Sequence, residues 1–547
     1  MPASLTYPGV YVEEIPSGVH TITGVSTSIT AFVGRTARGP VKTPTTVTSV
    51  ADYERNFGPL DLNYPLGFSV RDFYLNGGAI AIIVRVFKPK DKTKSDKAVI
   101  DANGLILEAA SEGTWGNDLR ARITKSIADD AVASTLGAGI TAADLFNLTI
   151  RQGTVNPEQT VSIETFNNVT LKPSSRNVRG ILEARSNLAR VNALPSDISK
   201  PPKEHADTPD KDQSTPPKDK SIWDVNVTTP TSAGPAANVL NSQMLSDVDD
   251  FGNSGAATGF YALAHADLFN LLVIPLDELN DNTKAATLNA SAAAYCTARR
   301  ALYIVDSPAS WASVNAATTD GPAALGITGS DARNAAIYFP RIKKSNPLRG
   351  DLIEEFPPSG MIAGIMARTD VTRGVWKAPA GVDAALVGAQ GLSVTMNDDE
   401  NGQLNPLGIN CLRTFPIYGN IVWGARTLRG ADALGDEYKY VPVRRTALFI
   451  EESLYRGLKW VVFEPNDEPL WGQIRLNVGA FMQGLFRQGA FQGTSARDAY
   501  FVACDKSTTT QNDINLGIVN VVVGFAPLKP AEFVVLKIQQ LAGQIQT

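Results

Sequence analysis

The chain has 547 residues, of which 43% are apolar and 19% charged, and its formal net charge is −5. This length allows about two to four domains with substantial cores, and the charge balance argues against a nucleic-acid partner, which would favour a strongly basic face. The sequence has neither an apolar run of about 18 residues nor an N-terminal apolar h-region, so we predict no membrane insertion and no signal peptide.

The first predicted element is an N-terminal arm over residues 1–23. Its short β-prone segment offers Tyr7, Val10, Tyr11, Val12 and Ile15 for pairing, and Gly18 separates it from the next part of the chain. A core begins behind it, at residues 24–87. There the pattern predicts a buried strand at 29–34, a helix at 65–75 with Phe68, Phe73 and Leu75 as its apolar positions, and a nearly continuous apolar strand at 79–87. Such a continuous run is typical of a sheet covered on both faces.

The composition changes at Lys88, where a solvated charge run begins. We interpret residues 88–256 as an inserted, strand-rich domain, with β-like runs at 104–109 and 144–150. Within it, residues 195–236 are low in apolar content and rich in Pro, Lys and Asp, which predicts an exposed loop or flap.

From residue 257 strands alternate with helices again. Strands are predicted at 268–275, 302–306 and 335–339, and helices at 282–301, 310–315 and 358–368. This alternation predicts an α/β (α+β) core with a mostly parallel sheet. We assign its second part to residues 257–440, so that the insertion splits one body in two.

An inner domain is predicted at residues 441–526, with amphipathic helices at 446–462 and 469–488 and a strand at 518–525. The last segment, 527–547, is predicted as a second arm. Its strand-forming residues come after two prolines and are Phe533, Val534, Val535, Leu536 and Ile538. A terminal strand with open N–H and C=O groups is a template for another chain, although both termini could instead close the sheet of their own chain.

The residues that carry chemistry are few. His20, His205 and His265 are far apart in the sequence, and no nucleophile, phosphate-loop or metalloprotease motif accompanies them. The acidic stretches at 247–252 and 397–402 lack the carboxylate that a calcium loop needs at its twelfth position. We therefore predict no catalytic residue, no cofactor and no metal site, and we interpret both stretches as exposed acidic turns.

Cys296, Cys411 and Cys504 show no zinc spacing or disulfide framework, which favours a reducing compartment and assembly in cytoplasm. The region 340–430 is rich in Gly and Pro and carries Trp and Arg, the residue types that anchor interfaces. We interpret this region as an interface or folding element rather than a cluster of substrate loops.

Many segments, in order along the chain, resemble the tail sheath proteins of contractile phage tails and related injection systems. The matching segments are 7–14 (YPGVYVEE), 113–117 (GTWGN), 295–296 (YC), 305–308 (VDSP), 357–364 (PPSGMIAG), 373–381 (RGVWKAPAG), 423–427 (WGART), 444–445 (RR), 449–452 (FIEE), 463–467 (FEPND), 470–471 (LW) and 530–534 (PAEFV). The resemblance covers roughly residues 1–90 and 257–547, whereas the insertion matches only through its Gly-Thr-Trp-Gly-Asn.

This resemblance implies a structural subunit and not an enzyme. Sheath subunits of the family form stacked rings, usually six-fold, around an inner tube, and the N- and C-terminal arms of two subunits add strands to a small sheet near the C-terminal region of a third. The extended sheath is metastable and contracts on a baseplate signal, without nucleotide hydrolysis, to drive the tube through a target envelope. The implied partners are other copies, the tube protein, and baseplate and terminator or cap proteins, within a phage tail or injection particle.

We further predict that the 446–488 region faces the lumen and contacts the tube, and that the insertion lies outside. The polar tube-facing candidates are Arg456, Lys459, Asp467, Glu468 and Arg475; the alternative is that these are ordinary solvated helix faces. A sheath from a bacteriocin or an anti-eukaryotic injector fits the sequence as well as a phage sheath does. An oligomeric α/β enzyme is a more distant alternative.

Overall fold

The structure is a computed structural model that describes residues 20–87, 97–153, 160–205, 259–275 and 282–537. Its strands are β1 (Thr30–Gly34), β2 (Thr45–Val47), β3 (Ala81–Arg85), β4 (Val99–Ala102), β5 (Leu105–Ala109), β6 (Leu119–Lys125), β7 (Phe146–Gly153), β8 (Thr160–Val169), β9 (Ala189–Ala193), β10 (Leu271–Val273), β11 (Leu302–Asp306), β12 (Ala335–Phe339), β13 (Ile342–Asn346), β14 (Leu352–Phe356), β15 (Gly391–Leu392), β16 (Ile409–Phe415), β17 (Gly419–Val422), β18 (Tyr500–Ala503) and β19 (Val522–Phe525).

The α-helices are α1 (Val50–Phe57), α2 (Leu66–Leu75), α3 (Asp130–Leu136), α4 (Val178–Arg185), α5 (Asn282–Ala298), α6 (Val314–Asp320), α7 (Ser359–Arg373), α8 (Asp398–Leu404), α9 (Val441–Gly457), α10 (Glu468–Arg487), α11 (Ala496–Ala499) and α12 (Gln511–Asn515).

An 8-stranded sheet forms the centre, in the order β17-β16-β12-β11-β10-β1-β3-β2. The inner pairs, from β3 to β16, are all parallel, and an antiparallel strand closes each edge. The predicted α/β core with a mostly parallel sheet is therefore confirmed. The chain leaves this sheet after β3 and returns to it at β10.

Both faces of the sheet are covered, because neighbouring residues of each buried strand point to opposite sides. In β1, Ala31 and Val33 pack on the face covered by α5, whereas Phe32 packs with α1, α2 and α7 on the other face. Two apolar cores sandwich the sheet, which is why its strands have continuous apolar runs.

Helix α7 crosses α2 with the two backbones in close approach. A Cβ on Gly360 would lie 2.3 Å from the carbonyl oxygen of Ser69, and one on Gly364 would lie 2.5 Å from that of Phe73. The two glycines, four residues apart, place the bare side of α7 against α2. This packing explains why the segment Pro-Pro-Ser-Gly-Met-Ile-Ala-Gly has two glycines at this spacing.

Residues 97–205 build two further 3-stranded sheets, β4-β5-β9 and β6-β7-β8. Their apolar side chains form one cluster with Trp115, and every member of that cluster lies between residues 98 and 194. Trp115 belongs to the Gly-Thr-Trp-Gly-Asn segment at the junction with the body. The Arg38 guanidinium lies 5.9 Å from the ring centre of Trp115 and donates to the Gln152 side chain, and Arg85 donates to the Glu112 carbonyl at 2.8 Å.

Several predicted details are wrong. Leu75 is 51% exposed rather than a core position of α2, because it lies in the last turn, where the chain turns away at Asn76. The helix expected at 310–315 begins instead at Val314, where the Ser313 side chain accepts from the Ala316 amide at 3.2 Å. The stretch 397–402 is not a turn but the start of α8. Asn397 and Glu400 cap the N-terminus of this helix through a reciprocal capping box.

The segment 195–236 was expected to be an exposed flap, and its described part ends at residue 205. Pro202 and His205 in that part are buried. The Ile123 amide donates to Nδ1 of His205 at 3.0 Å, so this ring carries no proton on Nδ1, and burial lowers its pKa. The acidic stretch 247–252 lies outside the described residues.

Candidate assembly interface

A small open sheet stands in the C-terminal region, where β18 and β19 pair antiparallel. In the described part of the chain this sheet has only these two strands. Phe501 on β18 is 57% exposed and Val522 on β19 is 45% exposed. A two-stranded sheet presents unpaired backbone groups along both edges, and such edges accept strands from other chains.

Helix α10 and the segment after it hold the open sheet in place. The Tyr500 hydroxyl donates to the side chain of Gln483 on α10 at 2.9 Å. The ring of Phe491 lies 6.3 Å from that of Tyr500 and 5.6 Å from that of Phe525. One side of the sheet is therefore fixed to the body, while no third strand of the described residues pairs along either edge.

The N-terminal segment starts from the same region. The His20 ring stacks on Trp460 at 4.1 Å, and the His20 amide donates to the Asn477 side chain at 3.2 Å. Ile22 is buried in the cluster that α9 and α10 form. Residues 20–23, which were predicted as part of the free arm, are thus packed on the body. The predicted pairing residues Tyr7, Val10, Tyr11, Val12 and Ile15 lie outside the described residues.

The C-terminal segment comes directly after β19 and stays on the body for seven residues. The Ala526 amide donates to the Ala499 carbonyl at 2.8 Å, and Pro527 forms a single antiparallel bridge with Phe491. Glu532 then fastens the segment to the central body. It accepts from Nε and Nη2 of Arg426, both at 2.7 Å.

This Arg426–Glu532 latch is built into a buried polar network. The Arg426 side chain is fully buried and that of Glu532 is 18% exposed. Asn405 and the Tyr440 hydroxyl donate to the same carboxylate, each at 3.0 Å. Burial pushes the pKa of Glu532 upward, but the hydrogen bonds from Arg426 and Asn405 outweigh it and lower the pKa. The carboxylate is therefore held ionised, and the latch explains two matched segments, 423–427 and 530–534.

Beyond the latch the chain is exposed. Four of the predicted arm residues, Phe533, Val534, Val535 and Leu536, are 72%, 78%, 77% and 82% exposed, and they form no strand in the structure. Ile538, the fifth, lies outside the described residues. Pro527 and Pro530 are half-buried on the body, so the continuously exposed stretch begins at Phe533. Four exposed apolar residues in a row are unfavourable in water unless another surface covers them.

The latched segment forms one wall of a groove of about 1050 Å³. Trp376, Trp423, Tyr440 and Gly489 also line this groove. Trp423 is 40% exposed. We call this the arm-root groove; four cations, Arg373, Lys377, Arg413 and Lys529, and two acids, Asp398 and Glu532, also line it.

The five tube-facing candidates fall into two groups. Arg456 donates to Asp267 and to Glu452, at 2.7 Å each, and the ammonium of Lys459 lies 5.6 Å from the ring centre of Tyr455. The second group surrounds the start of α10.

Asp467 caps α10 by accepting from the Leu470 amide at 3.2 Å, and Glu468 accepts from Arg475 at 2.7 Å. Arg475 also donates to the Cys504 carbonyl. Most of these charges therefore have partners within the chain, and Lys459 is exposed.

No catalytic arrangement emerges from the described residues. Cys296, Cys411 and Cys504 are buried, and burial raises the pKa of each thiol. Within those residues no group of three His, Cys, Asp or Glu side chains could hold a metal ion, and no helix is both long and apolar enough to cross a bilayer.

Sequence reasoning missed β18 and the latch. β18 is a four-residue strand without strong alternation, which no periodicity test detects. Arg426 and Glu532 were inside segments already singled out, but their 106-residue separation hid the pairing.

Comparison with known proteins identifies the family of this chain. The family model of the phage tail sheath protein central domain matches residues 251–428, and that of the phage tail sheath C-terminal domain matches residues 435–540. A tail sheath protein of Vibrio phage KVP40 is 24% identical over 181 residues, which are 33% of this chain and 26% of that protein. The match thus spans about a quarter of the phage protein's length.

Solved structures agree over nearly the whole chain. The sheath complex of the extracellular contractile injection system PVC, in its contracted state, is 21% identical, with a TM-score of 0.55 over 98% of both chains. The contracted helical sheath of the anti-feeding prophage is 23% identical, with a TM-score of 0.54 over 98% of this chain and 100% of that one.

A sheath tail protein from Listeria innocua is 12% identical, with a TM-score of 0.56 over 92% of this chain and 96% of that one. At these identities the structures show the shared fold. Together with the two matched sheath domains, which span just over half of the sequence, they establish that this chain belongs to the contractile tail sheath family.

Proposed function

We propose that this chain is the structural subunit of a contractile sheath, which polymerises in stacked rings around an inner tube and shortens when a baseplate triggers it. The observation that carries the proposal is that three features lie close together in the C-terminal region. They are the root of the N-terminal arm, the root of the C-terminal arm and an open two-stranded sheet. A chain with an exposed C-terminal segment and an unfilled sheet is incomplete alone, and an exchange of terminal segments between copies would fill that sheet.

Strand addition has enough free energy to hold such a polymer. Each backbone hydrogen bond contributes about 1 kcal/mol net, so a four-residue donated strand contributes roughly 2–4 kcal/mol before burial of its side chains. Phe533 and Leu536 would bury surface that is now exposed. Because the arms of one copy enter the sheets of others, the contact is heterologous and extends as a helix or closes as a ring.

The domain assignment is based on this arrangement. Residues 1–23 and 527–547 act as linking arms, whose roots at 20–23 and 527–532 pack on the rest of the chain. Residues 24–87 and 257–440 form the body, 88–256 is the inserted outer domain, and 441–526 is the inner domain. Support for a separate insertion comes from its own apolar cluster and its attachment near Trp115. Support for the inner domain comes from the cluster that α9, α10 and the open sheet share.

For tube contact we propose the exposed part of the inner domain, with Lys459, Asp467 and Glu468 as direct contacts. Arg456 and Arg475 would act through their ion pairs, which hold the neighbouring acids in place. Lys459→Glu should weaken assembly on tubes and leave tube-free polymerisation intact. Unchanged assembly on tubes for Lys459→Glu and for Glu468→Lys would remove this surface from the interface.

The remaining partners are proposed from the family: baseplate and terminator or cap proteins, with no enzyme activity, no cofactor and no nucleic acid. Assembly in cytoplasm and residence in a phage tail or injection particle complete the proposal. Phage and injection-system sheaths both occur among the relatives, so we leave the type of particle open. Neighbouring genes for a capsid, or for toxins and an ATPase, would decide it.

The decisive experiment is electron microscopy of the purified chain beside two truncations. The full chain should form striated sleeves, whereas chains lacking residues 1–19 or residues 533–547 should remain small and soluble. Normal sleeves from a chain that lacks both ends would refute the exchange of arms. Compact particles of fixed size from the full chain would refute the sheath and favour the enzyme alternative.

A further inference from the structure

One exposed side chain stands out from the others. Phe463 is 102% exposed, and its backbone has a φ of +74°, in the left-handed region that non-glycine residues rarely adopt. A bulky residue in this conformation is strained and persists only where surrounding contacts fix it. The side chain contributes nothing to the folded chain, so its position points to a contact outside it.

The backbone around Phe463 is firmly held. The Glu464 amide donates to the Val461 carbonyl at 3.1 Å, and the Asp467 amide donates to the Pro465 carbonyl at 3.1 Å. The Asn466 side chain accepts from Trp471 at 2.9 Å and donates to the Ile518 carbonyl at 3.0 Å. Phe463 is therefore a preorganised apolar knob, and little conformational entropy would be lost when it binds.

The arm-root groove has complementary properties. Its lining includes Trp376, Trp423 and Tyr440 and the cations Arg373, Lys377, Arg413 and Lys529. The two acids of the lining, Asp398 and Glu532, already have cationic partners, Arg413 at 2.6 Å and Arg426 at 2.7 Å. Next to the knob is Glu464, which is exposed and has no ion pair among the described residues. The ring of Phe463 and the neighbouring carboxylate of Glu464 are therefore complementary to a groove that aromatic and basic side chains line.

The knob and the groove lie at opposite ends of the same helices. Phe463 is in the turn between α9 and α10, and the rings of Phe449 on α9 and Phe481 on α10 lie 6.1 Å apart. Tyr440 precedes α9 and Gly489 comes after α10, and both border the groove. Helices of 17 and 20 residues span about 25–30 Å. The knob therefore cannot enter the groove of its own chain.

We propose that Phe463 of one copy inserts into the arm-root groove of a second copy, with Glu464 against Lys377. The inference rests on the proposed sheath function and adds a contact that needs no strand exchange. It joins different surfaces of the two copies, so it does not close into a dimer and continues along the polymer. Because residues 528–534 line the groove, the inserted knob would also press on the root of the C-terminal arm.

The first test is Phe463→Gly, compared with Ile127→Ala at a position that is 99% exposed in the segment after β6. Glycine removes the knob and accepts the positive φ without strain, so thermal stability should be unchanged or higher. The critical concentration for polymerisation should rise about ten- to a hundredfold, as expected for an apolar anchor that loses its burial. The Ile127 variant should polymerise like the parent chain.

The second test identifies the receptor. Glu464→Lys and Lys377→Glu should each weaken polymerisation, and the two together should restore it. A parent chain that forms no polymer would refute the sheath function itself. If the parent chain polymerises, and Phe463→Gly or the single charge reversals do so at the same critical concentration, then only the proposed Phe463 contact is refuted. If the single charge reversals weaken polymerisation and the double variant does not restore it, the groove is not the site that binds Phe463.

Discussion

The latch offers the sharpest perturbation, because Glu532→Gln removes one charge and changes the side-chain volume little. Arg426 would lose two charge-assisted bonds at 2.7 Å while remaining buried. It keeps Asp432 as a partner at 3.0 Å. Breaking a buried pair costs about 3–5 kcal/mol when no charge remains to compensate; with Asp432 in place we expect about 2–4 kcal/mol.

This loss should appear locally and not as global unfolding. The segment after Ala526 is terminal, so the chain relieves the unpaired guanidinium by releasing the segment and admitting water. The docked-to-released ratio should fall about 30- to 1,000-fold, since 1.4 kcal/mol corresponds to a factor of ten. A nitroxide attached at Lys529→Cys reports this ratio, because the three native cysteines are buried.

The control is Lys537→Gln, which neutralises an exposed charge in the same segment. The label should remain motionally restricted in Lys537→Gln. The melting temperatures of Glu532→Gln and Lys537→Gln should be nearly equal. In polymerisation assays Glu532→Gln should give sleeves with irregular striation, since the direction of the arm is no longer fixed. A restricted label and regular sleeves in Glu532→Gln would show that the ion pair does not hold the root.

Three further outcomes are expected in chemical unfolding. Gly364→Ala should lower stability by about 2 kcal/mol or more through the clash with α2, whereas Gly479→Ala in α10, with nothing within 4 Å, should raise it by up to about 1 kcal/mol; equal effects would contradict the helix contact. Burial raises the pKa of Asp306 to about 6. The folded chain therefore binds the extra proton, and stability should fall by up to about 3 kcal/mol as the pH rises from about 4 to 6. Asp306→Asn should flatten that slope. Lys344→Ala leaves the Asp72 carboxylate buried alone and should cost about 3–5 kcal/mol, whereas Lys344→Met with Asp72→Leu should be near neutral.

The central sheet was predictable because its strands satisfy one strong requirement. β11 and β12 were placed with the bounds that the structure has, Leu302–Asp306 and Ala335–Phe339, since a strand buried on both faces must be apolar throughout. The helix ends were less accurate. α9 begins at Val441 and not at 446, because Pro442 is favourable in a first helical turn and carries no amphipathic signal.

The interface was predictable only in outline. The arm residues were chosen by strand propensity, and their pairing with another copy stays a prediction, whereas the latch depends on one arginine meeting one glutamate across the fold. The strain at Phe463 depends on φ, which the sequence does not display for a phenylalanine. The candidates Arg456 and Arg475 were chosen for charge, yet their ion pairs within the chain depend on tertiary placement alone.

The placement of the arm roots has a mechanical consequence for the proposed sheath. The N-terminal root and the open sheet belong to the C-terminal region, and the C-terminal root leaves that sheet and is latched to Arg426 of the body, whereas the inserted sheets carry none of them. Copies linked only through that region can keep every donated strand while their outer bodies exchange one set of contacts for another. The hydrogen bonds of the donated strands, about 1 kcal/mol each, then cancel between the two states. The free energy released by shortening must come from the surfaces of the bodies, and variants on those surfaces should change the trigger threshold without dissolving the polymer.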